Sequence, residues 1–69
     1  MMTRIQALRK QRKLTGVDVC AEIRLHPVTL SAIESRRQVP GQVTREKICR
    51  LLGISEAEAF DSNGLASMQ

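Results

Sequence analysis

The chain has 69 residues, a formal net charge of +4 and a single aromatic residue, Phe60. This length allows one domain near the lower size limit for folding without disulfides or metals, and the scarcity of aromatic side chains favours a helical bundle over a β-sandwich. No hydrophobic run approaches the roughly 20 residues of a membrane span and no signal peptide is recognisable, so we expect a cytoplasmic protein.

Charge is distributed unevenly along the chain. Residues 1–50 hold all eleven basic side chains and four acids, a net charge of +7, whereas residues 51–69 hold three acids and no base. This asymmetry predicts a basic face that binds a polyanion and an acidic end that is turned elsewhere. A generally basic domain without such a partner is the alternative.

The first two predicted helices are recognised by their caps. Thr3 can cap the first helix, with Gln6 three residues later completing a capping box. Thr15 is expected to cap the second helix, with Asp18 in its first turn, where a negative charge suits the helix dipole. Apolar residues at three- and four-residue spacing follow, and this helix should end near Arg24.

A third helix is predicted to begin after His26. His26 stands in the N-cap position, and Pro27 takes the first helical position, where a missing N–H costs nothing. Leu25 and Leu30 are spaced as a hydrophobic staple, and Leu30 and Ile33 supply the buried stripe. The remaining positions of this helix are therefore expected to face outward.

Two further helices follow a loop over residues 35–41. We expect Thr44 to cap the fourth helix and Gly53 to end it in a left-handed conformation. Ser55 should cap a short fifth helix that reaches Phe60.

Five short helices, with the second and third joined by a tight turn, predict a helix-turn-helix domain over residues 1–61. The remaining residues, 62–69, show weak periodicity. We expect them to form a flexible C-terminal tail unless Leu65 and Met68 dock on a partner.

Catalytic and metal chemistry find little support. Cys20, Cys49 and His26 are widely separated, so we expect no metal site, no cofactor and two buried free thiols. No nucleophile stands near a base and no paired carboxylates suggest a pocket, so we expect no enzyme.

The order of residues resembles the DNA-binding domain of the lambda-repressor-like family, which includes phage Cro and the Xre-type regulators. The resemblance covers roughly residues 5 to 60 and is carried by LRKQRKLTGVDVCAEIRLHPVTLSAIESRRQVP and LLGISEAEAF. It implies an all-α, compact five-helix bundle whose third helix lies in the major groove while the second crosses the backbone. It also implies an ion pair between Arg9 and Glu34 that orients the third helix.

The chain departs from the family pattern at several positions. Gly16 stands where the family has a glutamine that bonds phosphate, and Arg24 stands at a turn position that favours glycine. Ser35 and Arg36 replace an asparagine-glycine pair. The fourth helix lacks the usual early apolar residues, so it is expected to begin late, at Thr44.

Candidate DNA contacts fall into two groups. Those expected to bind backbone phosphate are Thr15, Gly16, His26, Arg36 and Arg37, and Gln38 is expected to reach either phosphate or a groove edge. Those expected to face base edges are Pro27, Val28, Thr29, Ser31 and Ala32. Since this face offers no Arg, Asn or Gln, the methyl groups of Val28 and Ala32 are expected to pack on thymine C5-methyl groups. The alternative is that these two side chains are partly buried core.

The leading functional interpretation is a small phage- or prophage-type repressor that binds a palindromic operator in double-stranded DNA within a bacterial host cell or its nucleoid. A homodimer would form through the C-terminal helices, where apolar surface is expected from Leu52, Ile54, Ala57 and Phe60. The alternative is a protein-interaction module on the same fold, such as an antirepressor or antitoxin component.

Overall fold

The computed structural model describes residues 2–69, and in that range regular structure is entirely helical, with two isolated β-bridges. This confirms the predicted all-α, five-helix class. None of the described helices is long and apolar enough to cross a membrane. The elements are α1 (Arg4–Gln11), α2 (Gly16–Ile23), α3 (Pro27–Glu34), α4 (Gln42–Leu52) and α5 (Glu56–Ala59).

One core serves all five helices. Ile5, Ile33 and Ile48 are its largest fully buried side chains, so α1, α3 and α4 meet at its centre. The apolar stripe of α2 reaches the same core because residues three and four apart share a helix face. Cys20 and Cys49 also lie there as free thiols, and burial raises the pKa of both.

The helix caps show where local sequence decides structure. Thr15 caps α2 reciprocally: its Oγ1 accepts from the Asp18 N–H at 3.0 Å, and its own N–H donates to Asp18 Oδ2 at 2.8 Å. Hydrogen bonding to the Asp18 carboxylate, first from the Thr15 backbone N–H and then from the Thr15 side chain, lowers the pKa of Asp18. Thr3 precedes α1 as expected, but its side chain makes no capping bond, and Oγ1 is buried with no hydrogen-bond partner among the described residues. The predicted capping box of α1 is therefore absent.

The fourth helix begins earlier than the sequence predicts. Its N-cap is Gly41 and its first residue is Gln42, so Thr44 lies inside the first turn. The early polar residues bond to one another and to α5: Arg45 donates to Gln42 Oε1 at 2.8 Å, and Gln42 Nε2 lies 3.2 Å from Glu56 Oε2. These bonds hold the helix start at positions where the family pattern has apolar contacts.

The structure differs from the expectation of a flexible tail over residues 62–69. Thr3 pairs with Met68 in one β-bridge, and Phe60 pairs with Ala66 in the other. Ala66 is fully buried, and the Arg4 N–H donates to the Ser67 carbonyl at 2.8 Å. The segment after α5 therefore packs as part of the domain, because a buried methyl group and backbone hydrogen bonds stabilise its ordered conformation.

This packing also changes the expected dimer surface. Leu52 and Phe60 are only 3% and 5% exposed and belong to the core of their own chain. Ile54 is half-buried, which leaves Ala57 as the exposed member of the predicted interface. The C-terminal helices therefore present less apolar surface than the sequence suggested.

Candidate nucleic-acid interface

The turn between α2 and α3 is built around a left-handed arginine. Arg24 has φ 56° and ψ 52°, the conformation for which the family favours glycine. The next residue, Leu25, donates its N–H to the Cys20 carbonyl at 3.0 Å, which closes the end of α2. The helix-turn-helix geometry is therefore kept with arginine at this position.

A part-buried ion pair fixes α3 against α1. Arg9 Nε donates to Glu34 Oε2 at 2.7 Å, and Arg9 Nη2 donates to Oε1 at 3.1 Å. Arg9 Nη1 also donates to the Leu14 carbonyl at 2.9 Å, which ties the α1–α2 connection to the same group. The hydrogen bonds with Glu34 raise the pKa of Arg9. The pair that the resemblance implied is thus present.

The N-terminus of α2 has fewer free donors than the sequence suggested. The Thr15 N–H is taken by Asp18, whose carboxylate lies beside the first turn and opposes an approaching anion. The N–H groups of Gly16 and Val17 have no acceptor among the described residues. A Cβ on Gly16 would meet only Leu30 Cδ2 at 3.8 Å, an ordinary contact, so packing does not require glycine there.

His26 caps α3 with its ring. Nδ1 accepts from the Val28 N–H at 3.2 Å, so this nitrogen is unprotonated and the neutral ring carries its proton on Nε2. The side chain is exposed. His26 therefore keeps an N–H donor that can reach a phosphate while the cap remains intact.

The outward face of α3 is small and largely apolar. Val28 is 69% exposed, which favours the exposed over the buried interpretation of this side chain. Pro27 and Ser31 are exposed, whereas Thr29 and Ala32 are half-buried. The five residues expected to face base edges thus lie on or near one accessible surface, with Val28 the most prominent.

The two consecutive arginines of the loop after α3 lie in different environments. Arg36 has φ 63° and donates from Nη2 to Asp61 Oδ2 at 2.9 Å, so its guanidinium already has a carboxylate partner. Arg37 donates its backbone N–H to the Ala32 carbonyl at 2.9 Å, and its side chain is exposed. Gln38 is exposed as well. Arg37 is therefore the more available of the two for phosphate.

Asp61 is the residue that sequence reasoning missed. The run Asp-Ser-Asn-Gly at 61–64 is typical of a turn in which an aspartate accepts from backbone N–H groups two and more residues ahead. That signal predicts the turn but not its partner, because Arg36 lies 25 positions away.

No group of three or more His, Cys, Asp or Glu side chains within residues 2–69 is placed to hold a metal ion.

A family model described as a helix-turn-helix domain matches residues 3–60. Comparison with curated proteins and with solved structures yields no match.

Proposed function

The chain belongs to the helix-turn-helix domain family, and from that premise we propose that this DNA-binding regulator is a small, sequence-specific repressor of the phage type. The observation that carries the proposal is the outward face of α3. The buried side chains of α3 pack in the core, and its two ends are fixed by the His26 cap and by the Arg9–Glu34 pair. The Val28 side chain on the opposite face is exposed.

Phosphate contacts would position α3 in the major groove. The donors expected to reach backbone phosphate are the free N–H groups at the start of α2, Nε2 of His26 and the exposed side chains of Arg37 and Gln38. The Thr15 N–H already donates to Asp18, so Thr15 would support phosphate binding by capping α2 and not by donating its own N–H. Such contacts fix the register on DNA without reading sequence.

Base reading would rest on methyl groups and short hydroxyls. Val28 and Ala32 lie four residues apart on one helical face, where they can pack on thymine C5-methyl groups. Thr29 and Ser31 can exchange hydrogen bonds with base edges, and Pro27 limits how closely the helix start approaches the groove. The expected operator is therefore short and rich in A·T pairs.

Two copies would bind a palindromic operator as a two-fold pair. Half-sites in such complexes lie about 34–36 Å apart. The longest Cα extent of this domain is 27 Å, so two copies can occupy adjacent half-sites without overlap. Since Leu52 and Phe60 are buried in their own core, the dimer is expected to form mainly on DNA.

A second candidate function is a protein-interaction module. Val17 and Val28 are 71% and 69% exposed, and Gly16 lacks the side chain with which relatives bond phosphate. These features favour an apolar partner, such as another regulator, over DNA.

Selection of binding sites from random duplex DNA separates the two functions. Enrichment of an inverted repeat, together with a log affinity against log salt slope of several units, is expected for the repressor. No enriched sequence and a flat salt response would instead support the protein-interaction module.

A matched pair of variants tests whether α3 carries the reading face. Val28→Asp places an acid on that face and should abolish enrichment without unfolding the domain, because the position is exposed. Gln69→Asp makes the same change of charge at the exposed end of the chain and should leave the enriched sequence unaltered.

A further inference from the structure

The one ion pair between the segment after α5 and the loop after α3 joins Arg36 to Asp61 within the described chain. Arg36 Nη2 and Asp61 Oδ2 are 2.9 Å apart, with side chains 34% and 28% exposed. Arg36 lies two residues beyond the end of α3, in a left-handed conformation. The acidic end of the sequence therefore reaches the edge of the proposed DNA surface.

Asp61 is held in place by its own turn. Its Oδ1 accepts from the N–H groups of Asn63 at 2.9 Å and Leu65 at 3.1 Å, and its backbone N–H donates to the Leu65 carbonyl at 2.8 Å. We call residues 61–65 the Asp61 turn. Because one oxygen is fixed by two backbone donors, the other presents a charge of defined position to Arg36.

A second contact docks the Asp61 turn on the same loop. Gly64 has φ 84°, and a Cβ there would lie 2.9 Å from Val39 Cγ1, closer than such atoms approach. Val39 belongs to the loop between α3 and α4, as Arg36 does. The turn thus touches this loop at both a charged and an apolar point.

We propose that Asp61 is a positioning residue that withholds Arg36 from DNA phosphate. The inference rests on the proposed function. A phosphate that approaches Arg36 must displace a fixed carboxylate or share the guanidinium with it, and the carboxylate repels the phosphate in either case. Arg37, next along the chain, has no such partner among residues 2–69 and supplies the phosphate contact of this loop.

Salt dependence of DNA affinity tests the proposal directly, since each phosphate neutralised contributes a slope of about 0.9 in log affinity against log salt. Asp61→Asn keeps Oδ1 for the turn but removes the charge. It should steepen the slope by about 0.9 for each copy bound, so that its affinity per copy, relative to the parent chain, rises about threefold as salt falls from roughly 200 to 50 mM. The probe is one fixed duplex of about 20 base pairs.

Two control variants separate release of Arg36 from a general change of charge. Glu22→Gln removes an exposed acid that has no ion pair among residues 2–69, and it should not steepen the slope. In an Arg36→Ala background, Asp61→Asn should lose its effect on the slope, because the cation to be released is gone.

The outcomes that contradict the proposal are distinguishable from one another. A parent chain that binds no duplex overturns the proposed function and this inference together. A parent chain that binds, with Asp61→Asn showing an unchanged slope or weaker binding, overturns the inference alone. If Asp61→Asn shows no cooperative thermal transition, the variant is not folded and Arg36→Ala is measured in its place. A salt slope equal to that of the parent chain supports the proposal, and a slope smaller by about 0.9 contradicts it.

Discussion

Arg9 and Glu34 are joined by two parallel hydrogen bonds, at 2.7 and 3.1 Å, although 25 positions separate them in the chain. Their side chains are only 13% and 10% exposed, so the pair is shielded from most solvent. The end of the proposed reading helix is thus fixed to α1 by charge as well as by apolar packing.

Arg9→Leu should lower the free energy of unfolding by about 3 kcal/mol, because Glu34 is left as a buried charge without its partner. Urea denaturation measures the loss. Replacing both residues by leucine should recover most of it. The matched control is Arg45→Leu, which breaks a wider pair with Glu56 at 3.8 Å, nearer the surface, and should cost about 1 kcal/mol or less. Equal losses at the two sites would contradict this prediction.

Arg24→Gly should stabilise the domain by about 1 kcal/mol, since glycine adopts the left-handed conformation without the clash of a Cβ. Thermal unfolding measures the gain. Arg50→Gly, at an exposed position inside α4, should instead lose about 1 kcal/mol. A loss at position 24 would show that the Arg24 side chain makes a stabilising contact.

Gly16→Gln should tighten DNA binding at every sequence, because it supplies the phosphate contact implied by the family resemblance and a Cβ there meets only Leu30 at 3.8 Å. We expect a gain of about 1.5 kcal/mol, the lower end of the worth of one hydrogen bond to a charged group. Affinity for one fixed duplex measures it, with Gly16→Ala as the control that fills the same space without the amide.

Val28→Ala should relax the preference for thymine at one position in each half-site and cost about 1 kcal/mol or less, the worth of the apolar surface removed. Repeating the site selection with this variant measures the change. Val43→Ala removes the same atoms from an exposed position of α4 and should leave all preferences intact. An unchanged preference in the Val28 variant would remove this residue from the reading surface.

Acid should weaken the start of α2 through Asp18. The folded state lowers the pKa of Asp18, chiefly through the Thr15 backbone hydrogen bond, so its stabilising contribution is present above the unfolded-state pKa and is lost as pH falls through the folded-state value. Asp18→Asn should therefore be less stable than the parent chain at neutral pH, with the difference shrinking in acid. Thermal melts across that range measure it, and a difference that grows in acid would have the wrong sign.

The sequence predicted the features that depend on contacts between residues close together in the chain. Thr15 with Asp18, and His26 with Pro27, act within one turn of chain, so their spacing alone located the starts of α2 and α3. The Arg9–Glu34 pair spans 25 positions and was reached only through the family resemblance.

Contacts without such a pattern escaped prediction. The early start of α4 depends on Gln42 and Arg45 meeting α5, and nothing in their spacing signals that partner. The tail over residues 62–69 looks weakly periodic because a single buried alanine and a few backbone hydrogen bonds dock it. Arg36 appeared free for phosphate for the same reason, since Asp61 comes to it from the far end of the chain.

The docked tail brings the two ends of the described chain together. The Gln69 N–H donates to the Met2 carbonyl at 3.1 Å, next to the bridge between Thr3 and Met68. A short peptide linker could therefore connect residue 69 to residue 2, and the backbone could be reopened between the exposed residues Arg37 and Gln38, before α4. Such a circular permutant would keep all five helices, with α1 following α5 in chain order and α4 as its first helix.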